Sequence, residues 1–242
     1  MKTLTLLLSI IIVSSSISQQ KTGKYTYNGN SYSCIKIKLT PKNIAKFFII
    51  ENNNKIPHNE FLNSNNFNHD EQLLSTTSIV DPKGMPVGLY VNNYKEIKPT
   101  NKGNGQGNFY LKPNGAFLIM DDKITVCETS EIHQYNNIKY GVQSGPMLIH
   151  NGIINHQFNQ NSKNKYIRSA VGMSTNNKGE EFIIFALSDS KVSFYDFSEF
   201  FLNKFKCDEV LNIESSRPIL SIPYLPNESD ESATIINRYI VY

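Results

Sequence analysis

The chain has 242 residues and a formal net charge of +3, and 19% of its residues are charged. Its basic residues are scattered and form no stripe with interleaved aromatics, which argues against a nucleic-acid-binding protein. Three cysteines and five histidines show no CxxC, HExxH or similar spacing. The sequence therefore predicts no metal site and no cofactor.

The first eighteen residues, MKTLTLLLSIIIVSSSIS, are organised like a secretory signal peptide. Lys2 precedes an apolar run from Leu4 to Val13, and small residues lead to Ser18, after which we expect cleavage. The run is shorter than the roughly 20 residues that span a bilayer, although a membrane anchor is the alternative. We expect a soluble, exported chain, secreted or periplasmic, with no membrane span.

Three Asn-Gly pairs, at 28–29, 114–115 and 151–152, are each flanked by apolar or alternating runs. Asn-Gly is the strongest short-range hairpin signal, because both residues tolerate positive φ. The sequence therefore predicts three β-hairpins.

The run SCIKIKL that follows the first pair predicts a strand with Ile35 and Ile37 on one face and Cys34 on the other. Export would permit a disulfide, and the odd number of cysteines leaves one unpaired. We predict that Cys34 and Cys207 pair. The histidines are expected at the surface or in loops.

Two polar segments predict loops. Residues 52–69 are rich in Asn and favour a long loop with one helical turn around Glu60–Leu62. Residues 99–108, PTNKGNGQGN, are rich in glycine but lack the strand-to-helix setting of a phosphate-binding loop. They favour a chain crossover or a loop that lines a ligand site.

The C-terminal half reads as strand, helix, strand. The apolar run at 181–187 predicts a buried strand, and VLNI at 210–213 predicts another. Between them, residues 193–206 place phenylalanines on one helical face, with Ser193 as N-cap and Asp196 at the capping-box position.

Hairpins together with a few flanking helices predict an α+β fold with mixed or antiparallel sheets. The chain shows no internal repeat and no linker. We therefore expect a single domain over residues 24–242.

Six further segments stand out by their order and spacing. They are VGLYV (87–91), GNFYLKPNGAFLI (107–119), QSGPMLIHNG (143–152), IRSAVGM (167–173), FALSDSKVSFYDFSEFF (185–201) and FKCDEVLNIESS (205–216). Together they resemble the phosphodiester glycosidase family, and the resemblance covers about residues 25–226. It implies an α+β hydrolase; the best-known member of the family removes N-acetylglucosamine from a sugar phosphodiester. The implied partner is a small molecule or glycan that carries a phosphodiester.

Such chemistry predicts particular site residues. The phosphate leaving group needs little protonation, so catalysis depends on stabilising an oxocarbenium ion and on attack at the anomeric carbon. We predict Glu214 as the catalytic carboxylate, Arg168 as the cation that binds phosphate and Asp189 as a further catalytic residue. The predicted substrate-binding residues are Ser144, Gln143, Asn108, Ser216, Thr76 and Lys112.

Each prediction has a structural alternative. Residues 143–146, QSGP, can form a polar rim over an apolar strand, or a tight turn whose side chains bond local amides. Arg168 can form a surface ion pair, and Asp189 can stabilise a turn. Glu214 can be a carboxylate at a strand end, and Lys112 can be a solvated strand residue.

The chain departs from the family pattern in two turns. Thr76 and Ser78 stand where the family has Asn and Gly, and Glu214 and Ser215 stand where it has Asp and Gly. Glu extends about 1.5 Å farther than Asp, and a displacement of about 1 Å can lower a rate roughly 100-fold. The alternative to an exported hydrolase is therefore a catalytically inactive glycan- or envelope-binding protein on the same scaffold.

Overall fold

A computed structural model describes residues 20–68, 72–77, 79–81, 83–213, 218–223 and 238–242. The predicted signal peptide lies outside these ranges, as do Ser78 and Glu214 to Ser216. The strands, in chain order, are β1 (Gln20–Tyr27), β2 (Asn30–Lys38), β3 (Phe48–Glu51), β4 (Leu74–Thr76), β5 (Tyr90–Asn92), β6 (Lys95–Lys98), β7 (Gly115–Ile119), β8 (Ile124–Glu128), β9 (Tyr140–Ser144), β10 (Met147–His150), β11 (Ile153–Ile154), β12 (Ser169–Thr175), β13 (Glu181–Ser188), β14 (Glu209–Asn212), β15 (Leu220–Ser221) and β16 (Arg238–Val241).

Helices are few and short. They are α1 (Pro41–Ile44), α2 (His58–Ser64) and α3 (Phe194–Phe200), with 3₁₀ turns at Asn108–Tyr110 and Thr129–Gln134 and a π-helical turn at Phe201–Phe205. Within the described ranges, no helix has the length and apolar character needed to cross a membrane.

The strands form three antiparallel sheets. The large sheet has the order β1-β2-β13-β12-β14-β10-β11, the five-stranded sheet β6-β5-β9-β7-β8, and the four-stranded sheet β15-β4-β16-β3. The predicted α+β fold is thus confirmed in broad terms, although strands predominate over helices.

The first and third Asn-Gly pairs form the predicted hairpins. Asn28 (φ 47°) and Gly29 (φ 75°) join β1 to β2, and Asn151 (φ 51°) and Gly152 (φ 73°) join β10 to β11. Positive φ at both central residues gives the turn a twist that matches the flanking strands.

The hairpin predicted at the second pair, Asn114-Gly115, is wrong. Neither residue adopts positive φ, and Asn108–Tyr110 form a 3₁₀ turn instead of a strand. Asn114 is held by its own side chain, whose Nδ2 donates to the carbonyl of Phe109 at 3.2 Å. Pro113 also lacks the N–H that a strand ladder would use, and β7 pairs with β8 and β9.

The large sheet buries apolar side chains on both faces. Its inner face packs against the other two sheets through Ile35, Ile37, Val171, Phe185 and Leu211. The alternation predicted for β2 is confirmed, because Cys34 lies in the separate cluster on the outer face.

Helix α3 covers that outer face, and its predicted cap is confirmed. The Ser193 hydroxyl accepts from the N–H of Asp196 at 3.0 Å, and the Asp196 carboxylate accepts from the N–H of Ser193 at 3.2 Å. Phe197 and Phe200 stack on Tyr32, with ring centroids 5.6 and 3.8 Å away. A capping box thus fixes where the aromatic face of the helix begins.

The predicted Cys34–Cys207 disulfide is wrong, because all three cysteines are free, buried thiols. Cys34 on β2 pairs with Ala186 on β13, which pairs with Ala170 on β12. At about 4.8 Å per strand, β12 lies roughly 10 Å from Cys34. Cys207 packs over β12, where a Cβ on Gly172 would lie 3.0 Å from its Sγ, whereas a disulfide needs Cα atoms within about 7 Å.

Helix α2 covers the outer face of the four-stranded sheet, where Phe61 stacks on Tyr239 at 5.5 Å. It extends the single turn predicted around Glu60–Leu62 to seven residues. The expectation that every histidine lies at the surface or in a loop is wrong for His58, which is fully buried. Its Nδ1 lies 2.6 Å from the hydroxyl of Tyr239, 181 residues away in sequence.

His150 links the large sheet to the five-stranded sheet. Its Nδ1 lies 3.0 Å from Glu209 and its Nε2 3.6 Å from Glu128. Burial acts to lower the pKa of His150, but Glu209, Glu131 and Glu128 raise it above its ordinary value; burial also raises the pKa of Glu209. The folded chain therefore binds protons more tightly than the unfolded chain. The interaction of protonated His150 with these glutamates therefore contributes its full stability below the ordinary histidine pKa of about 6.5. That contribution is lost as pH rises through the raised pKa of His150 in the folded chain.

Gly172→Ala should lower the free energy of unfolding by about 1–3 kcal/mol. The added Cβ would lie 2.9 Å from Phe201 Cδ1 and 3.0 Å from Cys207 Sγ, where the π-helical turn after α3 and the residues that follow it approach the sheet. Gly23→Ala in β1 is the matched control, because its nearest contact is Tyr25 Cε2 at 3.6 Å. It should change stability by less than about 0.5 kcal/mol. Urea unfolding followed by circular dichroism measures both, and equal losses would contradict this packing.

Candidate functional site

The chain passes from the five-stranded sheet to the large sheet at Gly145-Pro146, between β9 and β10. A Cβ on Gly145 would lie 2.8 Å from Asn114 Cβ and 3.0 Å from the carbonyl oxygen of Phe109. Only glycine therefore lets this turn lie against the segment that precedes β7. From the other side, Asn212 Nδ2 donates to the carbonyl of Gly145 at 2.9 Å.

Gln143 lies two residues before Gly145 and is fully buried. Its Oε1 accepts from the N–H groups of Leu89 at 3.0 Å and Asn101 at 2.8 Å. Its Nε2 donates to the carbonyl of Asn101 at 2.8 Å and to Thr129 Oγ1 at 3.1 Å. These bonds use both N–H groups and both lone pairs of the amide. A Cβ on Gly88 would lie 2.2 Å from Oε1, so the amide needs glycine there.

Two loops beside this turn form a cleft of about 520 Å³, a volume typical of small-molecule sites. One loop comprises residues 79–87, and the other comprises residues 98–110 with the glycine-rich segment. Apolar side chains from both loops share the lining with polar ones. The polar lining residues are Asp81, Lys98, Asn101, Gln106, Asn108 and Tyr110.

The 79–87 loop is folded on itself by Asp81. Its Oδ1 accepts from the N–H groups of Lys83 and Met85, each at 2.9 Å, and its own N–H donates to the Met85 carbonyl at 2.8 Å. The Met85 N–H, helped by Lys83 and Lys98, holds the pKa of Asp81 below its ordinary value. Asp81 is therefore a carboxylate at neutral pH.

Lys98 and Tyr110 border the glycine-rich segment. Lys98 is half-buried at the end of β6, and its Nζ donates to the carbonyl of Pro86. A Cβ on Gly105 would lie 2.6 Å from the ring of Tyr110. Glycine at this position therefore lets the loop approach the aromatic ring closely.

Several buried polar atoms have no hydrogen-bond partner in the described part of the chain, among them Ser144 Oγ, Ser169 Oγ, Asn212 Oδ1 and Thr76 Oγ1. Ser169 and Asn212 lie at one end of the large sheet, and Ser144 ends β9 just before the turn that leads to it. There the N–H of Asn212 donates to Pro146 at 3.0 Å, and the N–H of Ile213 donates to Ser169 at 3.1 Å. Buried polar atoms are nearly always bonded, so this end of the sheet is suited to hold ordered water or a polar ligand group.

Arg168 reaches the same end of the large sheet but faces α3. Its guanidinium carbon lies 3.6 Å from the ring centroid of Phe194, and its Nε donates to the carbonyl of Val192 at 3.0 Å. Its Nη2 donates to the carbonyl of Asn164 at 3.3 Å, and the residue is 1% exposed. The guanidinium thus fastens the segment before β12 onto the start of α3.

Asp189 and Lys112 lie apart from the cleft lining. Asp189 is exposed and accepts from the hydroxyls of Ser31 at 2.7 Å and Ser33 at 2.8 Å, which ties it to β2. The backbone carbonyl of Lys112 accepts from Asn155 Nδ2 at 3.1 Å.

The residues predicted from the sequence are therefore dispersed. Asn108 lines the cleft, Gln143 supports its wall from behind, and Ser144 lies at the adjoining turn. Arg168 lies on the α3 side of the large sheet. Thr76 lies in the four-stranded sheet opposite Tyr239.

Glu214 and Ser216, the other two predicted residues, lie outside the described ranges. Ile213, which precedes them, is bonded to Ser169 at the end of the sheet that carries the unpartnered atoms. Within those ranges, no group of three or more His, Cys, Asp or Glu side chains could hold a metal ion.

The sequence reasoning missed several residues that line the cleft. Asn101 and Gln106 belong to the glycine-rich segment that was predicted to line a ligand site or cross over, so that pattern could have identified them. Tyr110 lies in the family-like segment 107–119, two residues after the glycine-rich segment, so it could have been identified as well. Lys98 and Asp81 lie outside the glycine-rich segment and carry no such signal.

Comparison with known proteins identifies the family of the chain. The profile of the phosphodiester glycosidase family matches residues 69–214, more than half of the chain. The uncharacterized protein YigE of Escherichia coli (strain K12) is 30% identical over 145 residues, which are 60% of this chain and 56% of that protein. The match thus spans little more than half of that relative.

A solved structure supports the fold. The catalytic domain of zebrafish N-acetylglucosamine-1-phosphodiester alpha-N-acetylglucosaminidase, auto-inhibited by its pro-peptide, superposes with a TM-score of 0.55 at 12% identity. The superposition covers 91% of this chain and 81% of that one. The matched segment contains both cleft loops and the Gly145-Pro146 turn, and the chain belongs to the phosphodiester glycosidase family.

Proposed function

We propose that this chain is an exported hydrolase that cleaves an N-acetylglucosamine-like sugar from a glycosyl phosphodiester. Family membership supports a hydrolase, and the printed activity of the zebrafish protein motivates the choice of sugar. Export follows from the signal peptide expected over residues 1–18, with cleavage after Ser18.

The observation that carries the proposal is the polar lining of the cleft. Asn101, Gln106 and Asn108 line the cleft, and amides both donate and accept hydrogen bonds, which suits sugar hydroxyl and acetamido groups. The Asn101 amide already bonds the carbonyl of Val87 at 3.0 Å and the N–H of Gly103 at 2.9 Å, which leaves it one N–H and one lone pair. Tyr110 adds an aromatic ring with a hydroxyl. Polar groups beside apolar ones are typical of a site that orients a small ligand.

Chemistry at such a substrate needs one carboxylate near the anomeric carbon. Glu214, our candidate, would attack that carbon or activate a water, while the phosphate oxygen leaves with little protonation. It follows Ile213, close in the chain to the sheet end where Ser169 has an unpartnered hydroxyl.

A second candidate function is glycan binding without catalysis. Asp81 is the carboxylate among the described lining residues, and its Oδ1 already accepts from two backbone N–H groups. A carboxylate that holds a turn in this way is a poor nucleophile. If Glu214 is not catalytic, the cleft therefore has no suitable described carboxylate, and the chain would bind a glycan without cleaving it.

Glu214→Gln should lower kcat by about 100- to 10,000-fold, because an amide can neither attack nor accept a proton. The measurement is release of N-acetylglucosamine from a methyl 1-phosphodiester by the purified chain. Glu181→Gln is the control, because Glu181 is exposed at the start of β13, at the opposite end of the large sheet from Ser169 and Ile213. Full activity of Glu214→Gln would exclude our assignment, and binding without turnover by the unaltered chain would favour the glycan-binding candidate.

Gln143→Met should raise KM more than it lowers kcat, because the loops would lose the contact that positions them. The substitution leaves the N–H groups of Leu89 and Asn101 without their acceptor. Each unpaired buried group lowers the free energy of unfolding by about 1–3 kcal/mol. Thermal unfolding should show the accompanying loss of stability. Gln134→Met, at an exposed position, should change neither quantity, and an unchanged KM in Gln143→Met would contradict the supporting role.

A further inference from the structure

A phosphodiester in the cleft needs a cation to bind its negative charge. Among the described residues that line the cleft, Lys98 is the only one with a positively charged side chain. Arg168 is 1% exposed, and its guanidinium lies against Phe194 and bonds backbone carbonyls. A guanidinium so enclosed is inaccessible to a phosphate bound in the cleft.

A β-bulge in β6 sets the orientation of Lys98. Val91 on β5 pairs with Glu96, but the next residue back, Tyr90, pairs with Lys98, so Ile97 is an extra residue in the ladder. A β-bulge of this kind bends the strand and redirects the side chain that follows. Ile97 is 45% exposed, whereas Lys98 is half-buried against the cleft.

The Lys98 ammonium group retains the capacity to bind an anion. It has three N–H donors, and the carbonyl of Pro86 accepts from one of them. Two donors remain for phosphate oxygens, and an ammonium–phosphate hydrogen bond is a strong, charge-assisted one.

Asp81 lines the same cleft, close enough for Lys98 to influence its ionisation. Its negative charge would repel a bound phosphate. The two side chains should therefore act on an anionic ligand with opposite sign.

We propose that Lys98 binds the phosphate of the glycosyl phosphodiester in this cleft, and that Asp81 limits the affinity for it. This inference rests on the function proposed above. Both residues act through charge, so neither should affect binding of the neutral sugar.

Titration calorimetry with N-acetylglucosamine 1-phosphate tests the proposal. Lys98→Met keeps the length of the side chain without its charge and should weaken binding by about 10- to 100-fold. Asp81→Asn keeps an oxygen that accepts from Lys83 and Met85 and should tighten binding by about two- to fivefold. Lys95→Met, on the same strand but exposed, is the control and should change binding by less than about twofold.

Two further measurements separate charge from folding. Lys98→Arg should bind the sugar phosphate within a few-fold of the unaltered chain, and all variants should bind neutral N-acetylglucosamine alike. Equal affinity of Lys98→Met and the unaltered chain for the sugar phosphate would overturn the proposal, as would failure of the unaltered chain to prefer it over the neutral sugar.

The failure of the proposed hydrolase would look different. Binding that depends on Lys98, without sugar release from the methyl phosphodiester, would support the phosphate site and overturn the catalytic function.

Discussion

The buried amide of Gln143 is the contact on which the cleft depends. Leu89 lies two residues after the 79–87 loop, and Asn101 lies within the 98–110 loop; both donate to Gln143. One side chain on a central strand therefore sets the position of both loops. Its four bonds leave no unused polar atom, and the lack of a side chain at Gly88 provides the space for it.

The placement of the site follows from this support. Loops carry binding residues best when a rigid scaffold positions them, and here β9 supplies the scaffold through Gln143. The next residues, Ser144 and Gly145, turn the chain into the large sheet. The cleft thus adjoins the sheet end where Ser169 and Asn212 have unpartnered atoms. Binding by the loops and chemistry at the sheet end would then occur side by side.

Local signals in the sequence predicted local structure well. Asn-Gly formed a hairpin at 28–29 and 151–152, where positive φ is available to both residues, and Ser193 capped α3 as its spacing to Asp196 implied. The pair at 114–115 failed because a contact to Phe109 replaced the local turn preference.

Nonlocal contacts could not be inferred from the chain order. His58 is buried by Tyr239, and Cys207 lies over β12, two strands from Cys34. The candidate site shows the same limit. The family pattern marked Asn108, Gln143 and Ser144, which do lie in or beside the cleft region. It could not show that Gln143 faces inward, because its partners lie 54 and 42 residues away.

The most direct test of this account is a crystal structure of the chain with N-acetylglucosamine 1-phosphate. We expect density for the sugar beside Asn101, Asn108 and Tyr110, with a phosphate oxygen within about 3.2 Å of Lys98 Nζ. Density at the Arg168–Asp189 end of the large sheet, with no ligand in the cleft, would contradict this expectation.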